Sequence, residues 1–161
     1  MKRITIIALV LACLTLFLCG CNNGSDVRND VAVKDIASAI SAAISTGDEL
    51  SPKSDSYISG MTRLDVSEFE EYIVIANTMG LNVDEFGVFK GADKNNTDDI
   101  FASVQAMLKL RLETWMDAYM PKEKPKMTNA ECKRLGNYVV YAILSDENRA
   151  AALKAFEDAL K

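Results

Sequence analysis

The chain has 161 residues, with 18 basic and 23 acidic side chains, a formal charge of −5 and no histidine. That absence excludes Ser-His-Asp triads, Cys–His nucleophiles, imidazole-based zinc sites and histidine general bases. The acidic balance disfavours nucleic acid and anionic lipid headgroups, both of which recruit Lys/Arg clusters; carboxylate chemistry assisted by lysine or tyrosine is the catalytic option that remains.

The first 21 residues read as a bacterial lipoprotein export signal. Lys2 and Arg3 precede a predominantly apolar run over residues 4–18, which is as long as a signal h-region and too short for the roughly 20 residues that span a hydrocarbon core. Leu18-Cys19-Gly20-Cys21 resembles the lipobox, aliphatic, small, small, Cys. The resemblance implies cleavage between Gly20 and Cys21, a diacylglyceryl thioether on Cys21 and a mature chain tethered to the cell membrane outside the cytoplasm. Two acyl chains are what stable anchoring needs, at about 0.8 kcal/mol per buried CH₂. Loss of residues 1–20 removes Lys2 and Arg3 and no acid, which takes the charge to about −7. Cys13 and Cys19 leave with the signal. With Cys21 lipidated, Cys132 stands alone, so no internal disulfide forms and packing must hold the domain together. A lone cysteine without histidine lacks its usual activator, and Cys132 reads as a core residue of a strand.

Residues 22–29 are polar and aperiodic, so residues 21–30 read as anchor and flexible tether, followed by one α+β domain over 31–161. Asp30 is placed to cap a first helix over about 31–45, in which Val33, Ile36, Ile40 and Ile44 recur at helical spacing. Residues 46–66 are mixed, with a loop at Ser51-Pro52-Lys53-Ser54, a short helical turn around 54–59 and a turn near Ser67. Residues 72–78, rich in aromatic and β-branched side chains, predict a strand. Gly80 and Asn82 turn it into a partner over 85–90, whose alternation is imperfect and whose lone Gly87 predicts a bulge or the close approach of another backbone.

Thr97 is placed to cap a long helix, with Asp98 and Asp99 complementing its dipole. Its apolar stripe runs from Ile100 through Trp115 and Met116 to Tyr119, and Pro121 ends it. Residues 129–135 and 138–144 predict a hairpin about Gly136-Asn137, with a type II′ turn. The second of these strands is apolar on both faces, which argues for a central position. Ser145 caps a final helix over about 146–160. The order α, β, β, α, β, β, α predicts an antiparallel four-stranded sheet in two ββα units. The long and C-terminal helices are expected on one face, and the N-terminal helix precedes the sheet.

Several segments together resemble a family of uncharacterised Gram-positive, largely clostridial, lipoproteins catalogued as a domain of unknown function. They are the lipobox ending at Cys21, Glu70-Glu71-Tyr72 leading to Met79-Gly80-Leu81-Asn82-Val83-Asp84-Glu85, Phe89-Lys90, Tyr119-Met120-Pro121, and Gly136-Asn137-Tyr138-Val139 before Ser145-Asp146. The resemblance extends over about residues 64–160 and departs from the family at Met61-Thr62-Arg63-Leu64, where a Tyr-Gly pair is expected. It implies fold and location and brings no catalytic residues.

Two acidic groups are weighed as sites. Residues 93–99 are oxygen-rich but fail the EF-hand pattern, because its glycine position holds Asp98 and its twelfth position Val104; capping explains them, and no metal is assigned. Glu68, Glu70, Glu71, Asp84 and Glu85 are expected to form an acidic rim at one end of the first hairpin, read as solvated edge charge. Trp115 and Tyr119 read as core. Asn95-Asn96-Thr97 has the form of a glycosylation acceptor, which in a bacterial chain needs no explanation beyond chance. No catalytic residue and no cofactor are assigned. The expectation is a non-enzymatic, membrane-anchored binding or interaction domain at the cell envelope, with an envelope protein as its candidate partner. A small-molecule receptor or delivery lipoprotein associated with a transporter is the alternative, favoured by a deep apolar pocket, and an enzyme stands third.

Overall fold

A computed structural model describes residues 27–80 and 82–161. The signal segment, Gly20 and Cys21 lie outside the described residues. Five strands form one antiparallel sheet in the order β1-β2-β3-β5-β4: β1 is Leu50–Pro52, β2 Glu71–Asn77, β3 Glu85–Lys90, β4 Glu131–Leu135 and β5 Tyr138–Ile143. The helices are α1 (Val33–Ala43), α2 (Asp55–Tyr57), α3 (Lys94–Glu113), α4 (Lys124–Thr128) and α5 (Asp146–Ala159). A π-helical turn at Ile58–Thr62 and a 3₁₀ turn at Val66–Glu68 link α2 to β2.

The sheet has one strand more than the sequence predicts. β1 is three residues long and pairs Leu50 with Asn77 and Pro52 with Ile75. It is too short to show alternation, and its proline is tolerated because β1 is an edge strand.

Helices cover both faces, which corrects the expectation that α3 and α5 share one. Val33, Ile36, Ala37 and Ile40 of α1 pack with Ala152 and Phe156 of α5 on Phe86, Val88, Val140 and Ala142. On the opposite face Ile100, Val104 and Met107 of α3 pack on Val74, Phe89, Val139 and Tyr141. Every residue of β5 is therefore buried, and β3 is buried from Glu85 to Phe89. The imperfect alternation of β3 is what a strand covered on both sides requires.

The helix ends differ in detail. Asp30 does not cap α1; its carboxylate pairs with Arg28. The N-cap is Ala32, without a capping side chain, and the Val33 N–H donates to Glu71 Oε2 at 2.9 Å. α3 begins at Lys94 with Asp93, not Thr97, as its cap: Asp93 Oδ1 accepts from Asn96 N at 2.9 Å. Thr97 is fully buried, and its hydroxyl donates to the Asp93 carbonyl. α3 ends at Glu113, before Pro121 can stop it. The Thr114 hydroxyl and amide both return to the Leu110 carbonyl, and the Trp115 amide tightens to Leu112 O. Ser145 caps α5 as expected, accepting from Asn148 N.

At one end of the sheet the chain enters along the β4–β5 hairpin. Arg28 N donates to Leu160 O at 2.9 Å, Asn29 Oδ1 accepts from Asn137 N at 2.9 Å, and the Tyr138 hydroxyl donates to Val31 O at 2.6 Å. Gly136 turns the hairpin at φ 58°. Asn29 and Val27 pack so closely over it that a Cβ would meet them. Residues 27–30 therefore lie against the domain.

Candidate functional site

The antiparallel register separates the five acids of the expected rim. Glu71 pairs with Lys90 at one end of the β2–β3 ladder, and Ala76 with Glu85 at the other. Glu70 and Glu71 sit near the entering chain and hold Lys90 Nζ at 3.0 and 3.4 Å, while Glu68 is exposed on the 3₁₀ turn. Asp84 and Glu85 lie at the far end and are buried, 6% and 2% exposed. They are not solvated edge charges.

Glu85 is the centre of the far end. It begins β3, on the face that α3 covers. Its Oε1 accepts from the Tyr141 hydroxyl of β5 at 2.6 Å and from Arg111 Nη1, in the last turn of α3, at 2.6 Å. Its Oε2 accepts from the Tyr57 hydroxyl of α2 at 2.9 Å. A buried carboxylate is tolerable only when paired and hydrogen-bonded, and here three elements supply the donors. Breaking such a pair costs far more than the pair contributes to stability, so the network fixes where Arg111 stands. Gly87 makes it possible, because the Tyr141 ring lies where a side chain at 87 would begin. The ladder runs unbroken through Gly87 on both sides, so neither a bulge nor another backbone is involved.

This network floors a cleft of about 360 Å³, open to solvent. Lys53, which follows β1, lines it; its Nζ donates to Asn77 O at 2.8 Å and stands 5.6 Å from the centre of the Tyr57 ring. Asn77 ends β2 and is 8% exposed. Its Oδ1 accepts from Met79 N at 2.8 Å, which fixes the amide orientation, and its buried Nδ2 has no hydrogen-bond partner among the described residues. Leaving such a donor unmet costs about 1–3 kcal/mol. Asp84 also lines the cleft, neutralised by Lys126 Nζ at 2.7 Å. Glu123 accepts from the same lysine at 2.9 Å and from the Val83 amide at 3.2 Å, tying the β2–β3 turn to α4.

Tyr119 and Met120 form the outer wall. Tyr119 is 58% exposed rather than core, because α3 ends six residues before it. Trp115 is half-buried against the α3 face of the sheet. Met120 holds a left-handed φ of 49°, uncommon for a non-glycine residue. The large exposed apolar residues among those described, Met79, Met116 and Tyr119, all belong to the two segments that border the cleft.

The chemistry of the site favours holding over transforming. Burial, and then the adjacent Glu85 charge, raise Tyr57 and Tyr141 above the ordinary phenol range, so both keep their protons at neutral pH. Burial opposes the charge of Arg111, yet Glu85 and the two tyrosines more than offset it and raise its pKa. Cys132 lies in β4, partly buried, and burial pushes its thiol up to about 12. Asp98, in the oxygen-rich segment, pairs with Arg134. Among the described residues no three cysteine or carboxylate groups converge in a way that could hold a metal ion.

Residues 42–144 match the family described as Domain of unknown function (DUF4358). The chain belongs to that family. The expected membership in a domain-of-unknown-function family is found at that level, over residues 42–144 rather than 64–160, so it begins earlier and stops before α5. The DUF4358 match contains every residue of the Glu85 network and the cleft, and it leaves out most of α1 and all of α5. No curated protein and no solved structure matches the chain. The acidic residues at 84 and 85 were legible in the sequence as a charged pair beside a turn. Tyr57, Arg111 and Tyr141 carried no local signal of their partnership, since only the fold brings them to Glu85.

Proposed function

We propose that this chain is a lipid-anchored, extracytoplasmic binding domain of the cell envelope, attached through Cys21, and that the cleft above Glu85 and Arg111 is where it binds. One observation carries the reading: the entering chain and the cleft lie at opposite ends of the sheet. Residues 27–31 run against the turn between β4 and β5, beside Lys90 and Tyr138, which pair across the ladder. The cleft opens at the other end, where Glu85 pairs with Ile143. Five strand steps separate Lys90 from Glu85, about 17 Å at 3.4 Å per step. An anchor at the first end holds the second, where exposed Tyr119 lines the cleft, away from the bilayer.

The lining supports binding without catalysis: Tyr57 is committed as a donor to Glu85, as is Tyr141 of the same network, and Lys53 is engaged by the Asn77 carbonyl. The cleft is open and partly polar rather than deep and apolar, which gives less support to an enclosed receptor for a large apolar molecule. Among the described residues no helix is long and apolar enough to cross a membrane; in this reading the attachment is the lipid on Cys21. The test is the intact mass and membrane partition of the native protein. Cys21→Ala is expected to lose the acyl mass and to move the chain to the soluble fraction; unchanged mass and partition would remove the anchor from the account.

A further inference from the structure

We infer that the cleft takes a small organic monocarboxylate, with Lys53 as its counter-ion and Asn77 Nδ2 and the free side of the Arg111 guanidinium as its hydrogen-bond donors. This deepens the proposed function and rests on its assignment of the cleft as the binding site. Four charged residues line the cleft: Lys53, Asp84, Glu85 and Arg111. Glu85 pairs with Arg111 at 2.6 Å, and Asp84 pairs at 2.7 Å with Lys126, which also holds Glu123 at 2.9 Å. Lys53 makes no ion pair among the described residues; a backbone carbonyl and the face of Tyr57 are its contacts. Lys53 is thus the lining charge without an ion-pair partner among the described residues, and it offers a counter-charge to one anionic group.

The donors agree with the charge. Asn77 Nδ2 is buried without an acceptor among the described residues, in an orientation its own Oδ1 contact has fixed. Arg111 uses Nη1 on Glu85, and its remaining N–H groups hold no acceptor among the described residues. Lys53, Asn77 and Arg111 come from three elements and meet at one cleft. A carboxylate has the acceptor capacity to meet such donors. Tyr119 and Met120 give the outer wall an apolar surface for the rest of the molecule, and about 360 Å³ is near the lower end of ligand pockets, roughly 300–1,000 Å³.

The test uses the full lipid-anchored chain in detergent, labelled with ¹³C at methionine methyls, with Met120 as reporter of the cleft and the buried Met107 and Met127 as controls. The probes are benzoate, inorganic phosphate and benzylammonium. Benzoate is expected to shift Met120 and leave Met107 and Met127 unmoved. Lys53→Met is expected to weaken benzoate at least tenfold, and Lys53→Arg to hold it within about threefold of the parent. An unchanged methyl spectrum at Met107 and Met127 establishes that each variant is folded. Tighter binding of phosphate or benzylammonium at Met120, or benzoate binding indifferent to Lys53→Met, would overturn the monocarboxylate while leaving the cleft as a binding site. No shift at Met120 with any of the three probes would overturn both.

Discussion

The ring of Tyr141 lies over Gly87, its partner residue on the neighbouring strand, and so fills the space in which a side chain at 87 would start. Because nothing stands in its way, the ring stacks with Phe89 at 6.0 Å between centroids, and its hydroxyl reaches Glu85. One missing Cβ thus allows an aromatic ring to cross the sheet and meet a carboxylate two positions along β3. That carboxylate in turn holds Arg111 at the floor of the cleft.

Gly87→Ala is therefore expected to destabilise the domain by about 1–3 kcal/mol, the usual cost of forcing an extra methyl into a packed core. Urea denaturation measures it. The Tyr141 ring is fully buried and lies against the position of the new methyl, so a loss below about 0.5 kcal/mol would contradict a close contact between the ring and Gly87.

Truncation at Glu85's partners should produce a steep order of costs. Arg111→Met leaves a carboxylate 2% exposed without its cation and is expected to cost about 3–5 kcal/mol. Tyr57→Phe removes one of several donors and should cost about 1 kcal/mol. Glu85→Gln combined with Arg111→Met removes both charges, so the double variant should be more stable than Arg111→Met alone. Equal costs for the two single variants in denaturant melts would contradict a charge-centred network.

The same network sets a response to alkali. Tyr57 and Tyr141 are raised in the folded chain by burial and by Glu85, so folding favours their protonated form. In the unfolded chain tyrosine titrates near 10. From about pH 10 upward the unfolded state therefore holds fewer protons than the folded state, and stability falls as pH rises. The contribution is fully present below pH 10. In a phenolate absorbance titration, Tyr57 and Tyr141 are expected to ionise only as the fold is lost. Tyr141→Phe should flatten the fall in stability between pH 10 and 11.

Most of the fold was legible because its strands and helices are long enough to show a period. β2, β3 and β5, and the C-terminal helix with its Ser145 cap, lie within a residue or two of the sequence expectation. β1 was not legible, since three residues ending in proline show no pattern and the pairing with β2 is a tertiary fact. The placement of helices on both faces was written in β3 and β5, both apolar across consecutive positions, but a local reading assigns that to a central strand alone. The candidate site was hidden for a related reason. An acidic pair at a turn reads as solvent-facing, and only the partners at 57, 111 and 141 reveal that Glu85 is buried. Lone Gly87 carried a signal of close approach, although the approaching group is a side chain rather than a backbone.

Cys132 offers a check on the domain's rigidity. Its thiol is pushed up to about 12 by burial alone, and the thiolate is the reactive form. Alkylation by iodoacetamide at pH 8 is expected to be at least tenfold slower in the native protein than in urea. Equal rates would mean that β4 opens readily at its edge.

Whether the end of the sheet remote from the entering chain is the binding end can be read by site-specific photo-cross-linking in intact cells. A photoreactive phenylalanine replaces Tyr119, on the cleft wall, or Lys154, exposed on α5. The lipid-anchored chain is then recovered and its intact mass measured. Binding at the cleft gives a reproducible adduct from position 119, absent from position 154 and lost when the cleft is filled by Thr78→Trp. Equal adducts from both positions, or none from 119, would contradict it.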